Sequence, residues 1–293
     1  AGALPVAAAG DHAGPDFVPA DAFAYFDLDL ALAGSQADNL AAFLAGIPGM
    51  EGISPADLGL GSLLGGMMDG DASDQWSSQI EPWFDGEIRM SIPEVPPMEA
   101  DVTADPAAAA GDAKVVAALG VKDAASLGEI FPELIDQMDA ESLGEHAGVE
   151  VFQNPDEGGL GAVAKTDTAV YLASDAATLE AALDVLAGTV PSLASDAEFA
   201  AIEATLPAER IGSFVLATAG LAQQLRAQAE AQAQTDPTAA AVLPGLLAQL
   251  GNGPDHVTGA IVAEPGHLTA RIAFATPARS EEHTSELQSR GLI

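Results

Sequence analysis

Two stretches of this chain come back, and the repeats narrow what it can fold into. Val18-Pro19-Ala20-Asp21-Ala22-Phe23-Ala24-Tyr25-Phe26-Asp27-Leu28 shares its pattern with Leu206-Pro207-Ala208-Glu209-Arg210-Ile211-Gly212-Ser213-Phe214-Val215-Leu216. Each reads as a turn followed by a strand, with the proline where its missing N–H costs no ladder bond. Lys122-Asp123-Ala124-Ala125-Ser126-Leu127 likewise echoes Ser174-Asp175-Ala176-Ala177-Thr178-Leu179. Each Asp is set to cap a helix by accepting first-turn N–H groups, and each Leu four residues on is set to face the sheet. The expected fold is therefore α+β: mainly antiparallel sheets covered by helices, with an internal duplication whose halves run about 17–190 and 191–278. Strands and helices alternate in part, so a parallel α/β sheet is the alternative.

The pattern between the repeats fills in the elements. Ser35 to Ile47 carries an apolar stripe at Leu40, Phe43, Leu44 and Ile47, as an amphipathic helix does. Residues 54–64, 221–233 and 239–250 read as further helices. Glu87-Ile88-Arg89-Met90-Ser91-Ile92 alternates as a half-buried strand does. Residues 114–121 and 148–153 read as strands, and 160–165 with 168–173, then 257–263 with 267–275, as hairpins. Pro132 is expected to interrupt the helix after Asp123, or to sit in a fresh first turn. Asp196 is placed to cap another helix, and Gly188 to close the one before it.

Composition excludes several functions. Of 293 residues, 44 are acids and 9 are Lys or Arg, a formal charge of −35. Such a chain repels phosphate backbones and anionic headgroups alike, so nucleic acid is not an expected partner. There is no Cys, which removes disulfides, thiolate zinc and thiol nucleophiles. With 48% hydrophobic but only 5% aromatic residues, the core is expected to be Ala, Leu and Val with Phe as bulky filler.

The two ends read differently from the middle. Residues 1–16 open on an uncharged small-residue run, like the tail of an apolar anchor or signal segment followed by a linker. Ten such residues are too few to span a bilayer, which needs about 20. Residues 279–293, beginning Arg279-Ser280-Glu281-Glu282-His283, abandon the Ala-rich style and resemble a translated sequencing adapter. They are expected to be an artefactual tail, and the domain to cover 17–278.

Candidate sites are few. Asp69-Gly70-Asp71-Ala72-Ser73-Asp74 has the look of a calcium loop, but an EF-hand needs Gly at the sixth position and Glu at the twelfth, where Asp74 and Ile80 stand. Asp69, Asp71 and Asp74 remain weak cation candidates. Asp27 and Asp29 share one strand face and read as polar decoration unless that face meets another carboxylate. His12, His146, His256 and His267 have no metal-ligand spacing, although His256 and His267 flank one hairpin and are candidates to be neighbours. Trp83 is expected to bury its ring. Neither a dinucleotide fingerprint, nor a Gly-Lys-Ser/Thr phosphate loop, nor Gly-x-Ser-x-Gly occurs. No catalytic residue and no cofactor is assigned.

Several pieces together carry a resemblance: Val18-Pro19-Ala20-Asp21, Phe43 to Pro48-Gly49, Glu81-Pro82-Trp83-Phe84-Asp85-Gly86, Gly148 to Phe152, Tyr171 to Asp175, Ser195 to Phe199 and Leu206-Pro207-Ala208. From about Asp16 to Pro277 the chain resembles an uncharacterised bacterial family, a domain of unknown function of the DUF 3352 type. The resemblance implies an amino-terminal membrane anchor, missing here, and a domain outside the cytoplasmic membrane. The leading expectation is a membrane-tethered, extracytoplasmic, non-enzymatic domain with a binding or envelope role. A carrier or sensor with an apolar pocket is the alternative, and a hydrolase built on distant carboxylates a third.

Overall fold

The computed structural model describes residues 14–31, 34–46, 76–95, 113–154, 161–218 and 256–274. Within them the chain builds one sheet of ten strands. In order come β1 (Ala24–Asp29), α1 (Gly34–Ala45), a π turn (Trp76–Ile80), β2 (Phe84–Ile92), β3 (Val116–Val121), α2 (Ala124–Gln137), β4 (Glu141–His146) and β5 (Val149–Gln153). Then follow β6 (Ala162–Lys165), β7 (Ala169–Ala173), α3 (Ala176–Leu186), a 3₁₀ turn (Leu193–Ser195), α4 (Ala197–Glu203), β8 (Gly212–Ala217), β9 (His256–Glu264) and β10 (His267–Phe274). The strand order is β10-β9-β8-β1-β2-β3-β7-β6-β5-β4. Every ladder in it is antiparallel, so the parallel alternative falls and the class is α+β. The helices expected at 54–64, 221–233 and 239–250 lie outside the described residues, as do both ends of the chain.

Local chemistry fixes the helix starts. Asp123 accepts from the N–H groups of Ala125 and Ser126 at 3.0 and 3.1 Å, Asp175 from Thr178 at 2.8 Å and Asp196 from Phe199 at 2.8 Å. Leu127 and Leu179 are fully buried. α2 runs through Pro132 without a break, contrary to expectation. The carbonyl that loses its donor there belongs to Gly128, whose surroundings are open, so it can turn to water. Pro19 and Pro207 each stand five residues before their strand, β1 and β8.

One edge strand, β4, was not legible in the sequence. All of its residues are exposed or half-exposed. A register shift between Ser142 and Gly144, with Gly144 at φ +99°, bends it, which blunts an edge against further pairing.

The sheet has a covered face and a partly open one. On the covered face α3, α4 and the segment around Phe17 and Val18 lie over Tyr25, Val116, Ala118, Val151 and Tyr171. On the other, α2 presses Leu127, Phe131 and Ile135 against Leu119, Val163 and Val170, with Trp83 and Phe84 beside them. α1 lies against β9 and β10. There the Gln36 carboxamide accepts from the N–H of Ala263 at 2.8 Å and donates to its C=O at 3.3 Å, acting as a strand surrogate beyond the end of β8.

Candidate functional site

The centre of the sheet reverses the usual arrangement of polar and apolar faces. In β2, Glu87, Arg89 and Ser91 are buried, while Met90 between them is exposed. Register carries the pattern across the sheet. Arg89 is opposite Asp27 of β1, which is opposite Ser213 of β8, and all three are buried. On the other face the neighbouring row runs Met90, Phe26, Phe214, Gly259, Ile272 over five strands. A Cβ on Gly259 would stand 2.4 Å from the Phe214 ring, so glycine lets that ring lie flat across the row.

Arg89 is the hub of the polar row. It is 2% exposed, and its Nη1 donates to the carbonyl of Gly14 at 3.0 Å and to Asp16 Oδ1 at 3.1 Å. Its Nε lies 3.8 Å from Glu87 Oε2, and its guanidinium sits 5.5 Å from the centre of the Phe17 ring, a cation–π contact. Burial works against the charge, but the Glu87 and Asp16 carboxylates outweigh it and hold the Arg89 pKa above its ordinary value. A buried ion left unpaired would cost several kcal/mol, so the partners are a condition of the fold.

Two tyrosines share this environment. Burial raises the Tyr25 phenol well above its ordinary pKa, and the Asp27 charge adds to the effect. Burial, then the Asp16 carboxylate, pushes Tyr171 up to about 12. The Tyr171 ring packs edge-on against Phe17, with centroids 5.7 Å apart. A second buried cation, Arg210, pairs with Glu203 and donates to the carbonyl of Pro207 at 3.2 Å. It ties the end of α4 to the entry of β8. In this row carboxylates stand beside guanidinium groups. That is the chemistry of a pinned ion-pair network.

The residues singled out from the sequence fall apart in space. Asp69, Asp71, Asp74 and His12 lie outside the described residues. Asp27 is not decoration: it is 6% exposed and faces Arg89. Asp29 accepts from the N–H of Ala31 at 2.8 Å, turning the chain out of β1. His256 and His267 stand at opposite ends of the β9–β10 hairpin, because both begin their strands; His267 pairs with Glu264 at 3.1 Å. His146 meets Asp184 at 2.9 Å, linking β4 to α3. Trp83 is buried, with its indole N–H donating to the carbonyl of Gln79 at 2.6 Å. Arg89 and Arg210 were missed. The available signal was scarcity: in a chain with 9 basic residues, an Arg in mid-strand between apolar neighbours asks for a partner. Among the described residues no group of three or more His, Asp or Glu is placed to hold a metal ion. None of the described helices is long and apolar enough to cross a membrane.

An antiparallel α+β domain with a buried arginine network and an apolar row on its opposite face is the class these observations define. Over residues 74–256 the chain matches the family described as Protein of unknown function (DUF3352), and it belongs to that family. No enzymatic family is indicated. No curated protein and no solved structure matches the chain. The family match ends at the first residue of β9 and begins after α1, so central β1 and nearly all of the β9–β10 hairpin complete the sheet from outside it.

Proposed function

We propose that this is a binding domain without catalytic chemistry, working outside the cytoplasm and tethered to the membrane upstream of the described residues. The observation that carries the binding role is the apolar row: Met90, Ile261, Leu268 and Ile272 are exposed, 54% for Ile272, on the face that also carries Phe26 and Phe214. Apolar surface gathered in this way marks interaction sites in soluble domains. Charge selects the occupant. At −35, this chain repels a second copy of itself and anionic lipid, and favours a protein strip with apolar side chains rimmed by Lys or Arg. The location and the tether rest on the family resemblance.

A photo-crosslinking residue at position 272 of the protein in bacterial envelopes, compared with one at exposed Glu133 on α2, tests the binding role. A protein adduct from 272 alone is expected; lipid adducts only, or the same adducts from both positions, contradict it. Protease added outside spheroplasts should digest the domain while a cytoplasmic marker survives. Protection of the domain contradicts the location.

We also propose that the sheet arose by duplication, with β1-β2-β3 and β8-β9-β10 as the repeated strands. The order β3-β2-β1-β8-β9-β10 reads the same from both ends of the pair. The sequence echo aligns Phe26 with Phe214, and the ladder makes these two residues partners. On this reading β4 to β7, with α2 and α3, are an insertion, and the halves differ from 17–190 and 191–278.

A further inference from the structure

We propose that Gly14–Pro19 is a releasable strap over the covered face, latched by the Asp16–Arg89 contact, and that lifting it uncovers Arg89 and Tyr171 without opening the sheet. The backbone of the strap is held by one loop. Val18 accepts from the N–H of Leu193 at 2.7 Å, Ala20 donates to the carbonyl of Pro191 at 3.0 Å, and Pro19 bridges Ser192. Among the described residues, its polar hold on the strands is side-chain chemistry: Nη1 of Arg89 donates to the Gly14 carbonyl and to Asp16 Oδ1 together. Phe17 then closes over the guanidinium and the Tyr171 ring, and Val18 is fully buried beside them. Buried and exposed groups meet at the latch. The Arg89 side chain is 2% exposed and that of Asp16 54%, so one end of the contact is open to water, to salt and to competing anions.

That asymmetry sets what lifting the strap would present. A carbonyl, a carboxylate and an aromatic ring would leave together, and Arg89 would face solvent with Tyr171 at its side. A planar guanidinium so placed recognises carboxylates through paired N–H donors. The strap already occupies the site as an internal carboxylate ligand followed by an aromatic residue, and an external peptide end with one carboxylate beside an aromatic ring, and basic residues elsewhere, is the class that would replace it.

Amide hydrogen exchange of the whole chain tests the strap. The amides of Ala20 and Leu193 report its backbone bonds. Those of Val121 and Ser174, which donate to Thr168 and Val115, report the sheet. Asp16→Lys reverses the charge at the exposed end and leaves Arg89 with Glu87. It is expected to speed exchange at Ala20 and Leu193 at least tenfold while Val121 and Ser174 change less than twofold. Unchanged exchange at Ala20 and Leu193 in Asp16→Lys overturns the proposal, as does acceleration of all four amides together.

Discussion

Arg89 shows how much one residue can demand of its surroundings. Its burial draws in Asp16, Glu87, Asp27 and the carbonyl of Gly14, and the two tyrosines of the chain lie within the same field. Both phenols are raised, so a spectrophotometric titration of the folded protein should show little phenolate at pH 10, where an ordinary tyrosine is half ionised. Stability owed to the neutral phenols is complete below that ordinary pKa and lost as pH climbs through the folded values. A phenolate signal near pH 10 without unfolding would contradict this burial. Asp175 works in the opposite direction. Burial raises its pKa, but the Lys114 ammonium and the Thr178 N–H outweigh burial and hold it below the ordinary value. Its contribution is therefore present above an unfolded Asp pKa of about 3.9 and fades as pH falls through the lower folded value. Asp175→Ala should cost about 1 kcal/mol at pH 7 as a lost cap, and less at pH 2; an equal cost at both pH values would remove the charge from the explanation. The caps were legible because an N-cap is local, an Asp two or three residues from the N–H groups it accepts. Arg89 and Asp27 were not, because Gly14 and Asp16 reach Arg89 from a segment far away in the sequence, and Asp27 meets it only through the register of two strands.

At the scale of elements, hydrophobic period and capping located most of the described strands and helices. Alternation of period 2 divides a strand into two faces but does not say which face is covered. In β2 the polar set went inside, because the strap met Arg89 there, and the apolar set was left half open. β4 was illegible for a related reason: an exposed, bent edge strand has no apolar alternation to display. The family match over 74–256 omits β1, which pairs with β2 on one side and β8 on the other. A fragment limited to 74–256 should therefore fail to give the ten-stranded sheet. Its amide exchange should show the β2–β3–β7 region unprotected relative to the full chain, whereas protection equal to the full chain would mean that β1 is dispensable.

Across the whole molecule, charge and packing pull against each other. The described cations are largely engaged: Arg89 and Arg210 are buried with their partners, while at the surface Lys114 pairs with Asp175, Arg271 with Glu264, and Lys165 sits over the Phe131 ring at 5.0 Å. The surface is left strongly acidic, so added monovalent salt should raise the melting temperature by screening self-repulsion; a fall would show that the ion pairs matter more than the excess charge. The apolar row of this sheet lies on its open face and the polar row on its covered one. Denaturant unfolding of Met90→Gln, Ile272→Gln and Val116→Gln tests it most directly. The first two should each cost less than about 1 kcal/mol, as surface changes do, and Val116→Gln, under α3 and the strap, about 3 kcal/mol or more. If Met90→Gln and Ile272→Gln cost as much as Val116→Gln, the row is buried in the folded chain and is not a binding face.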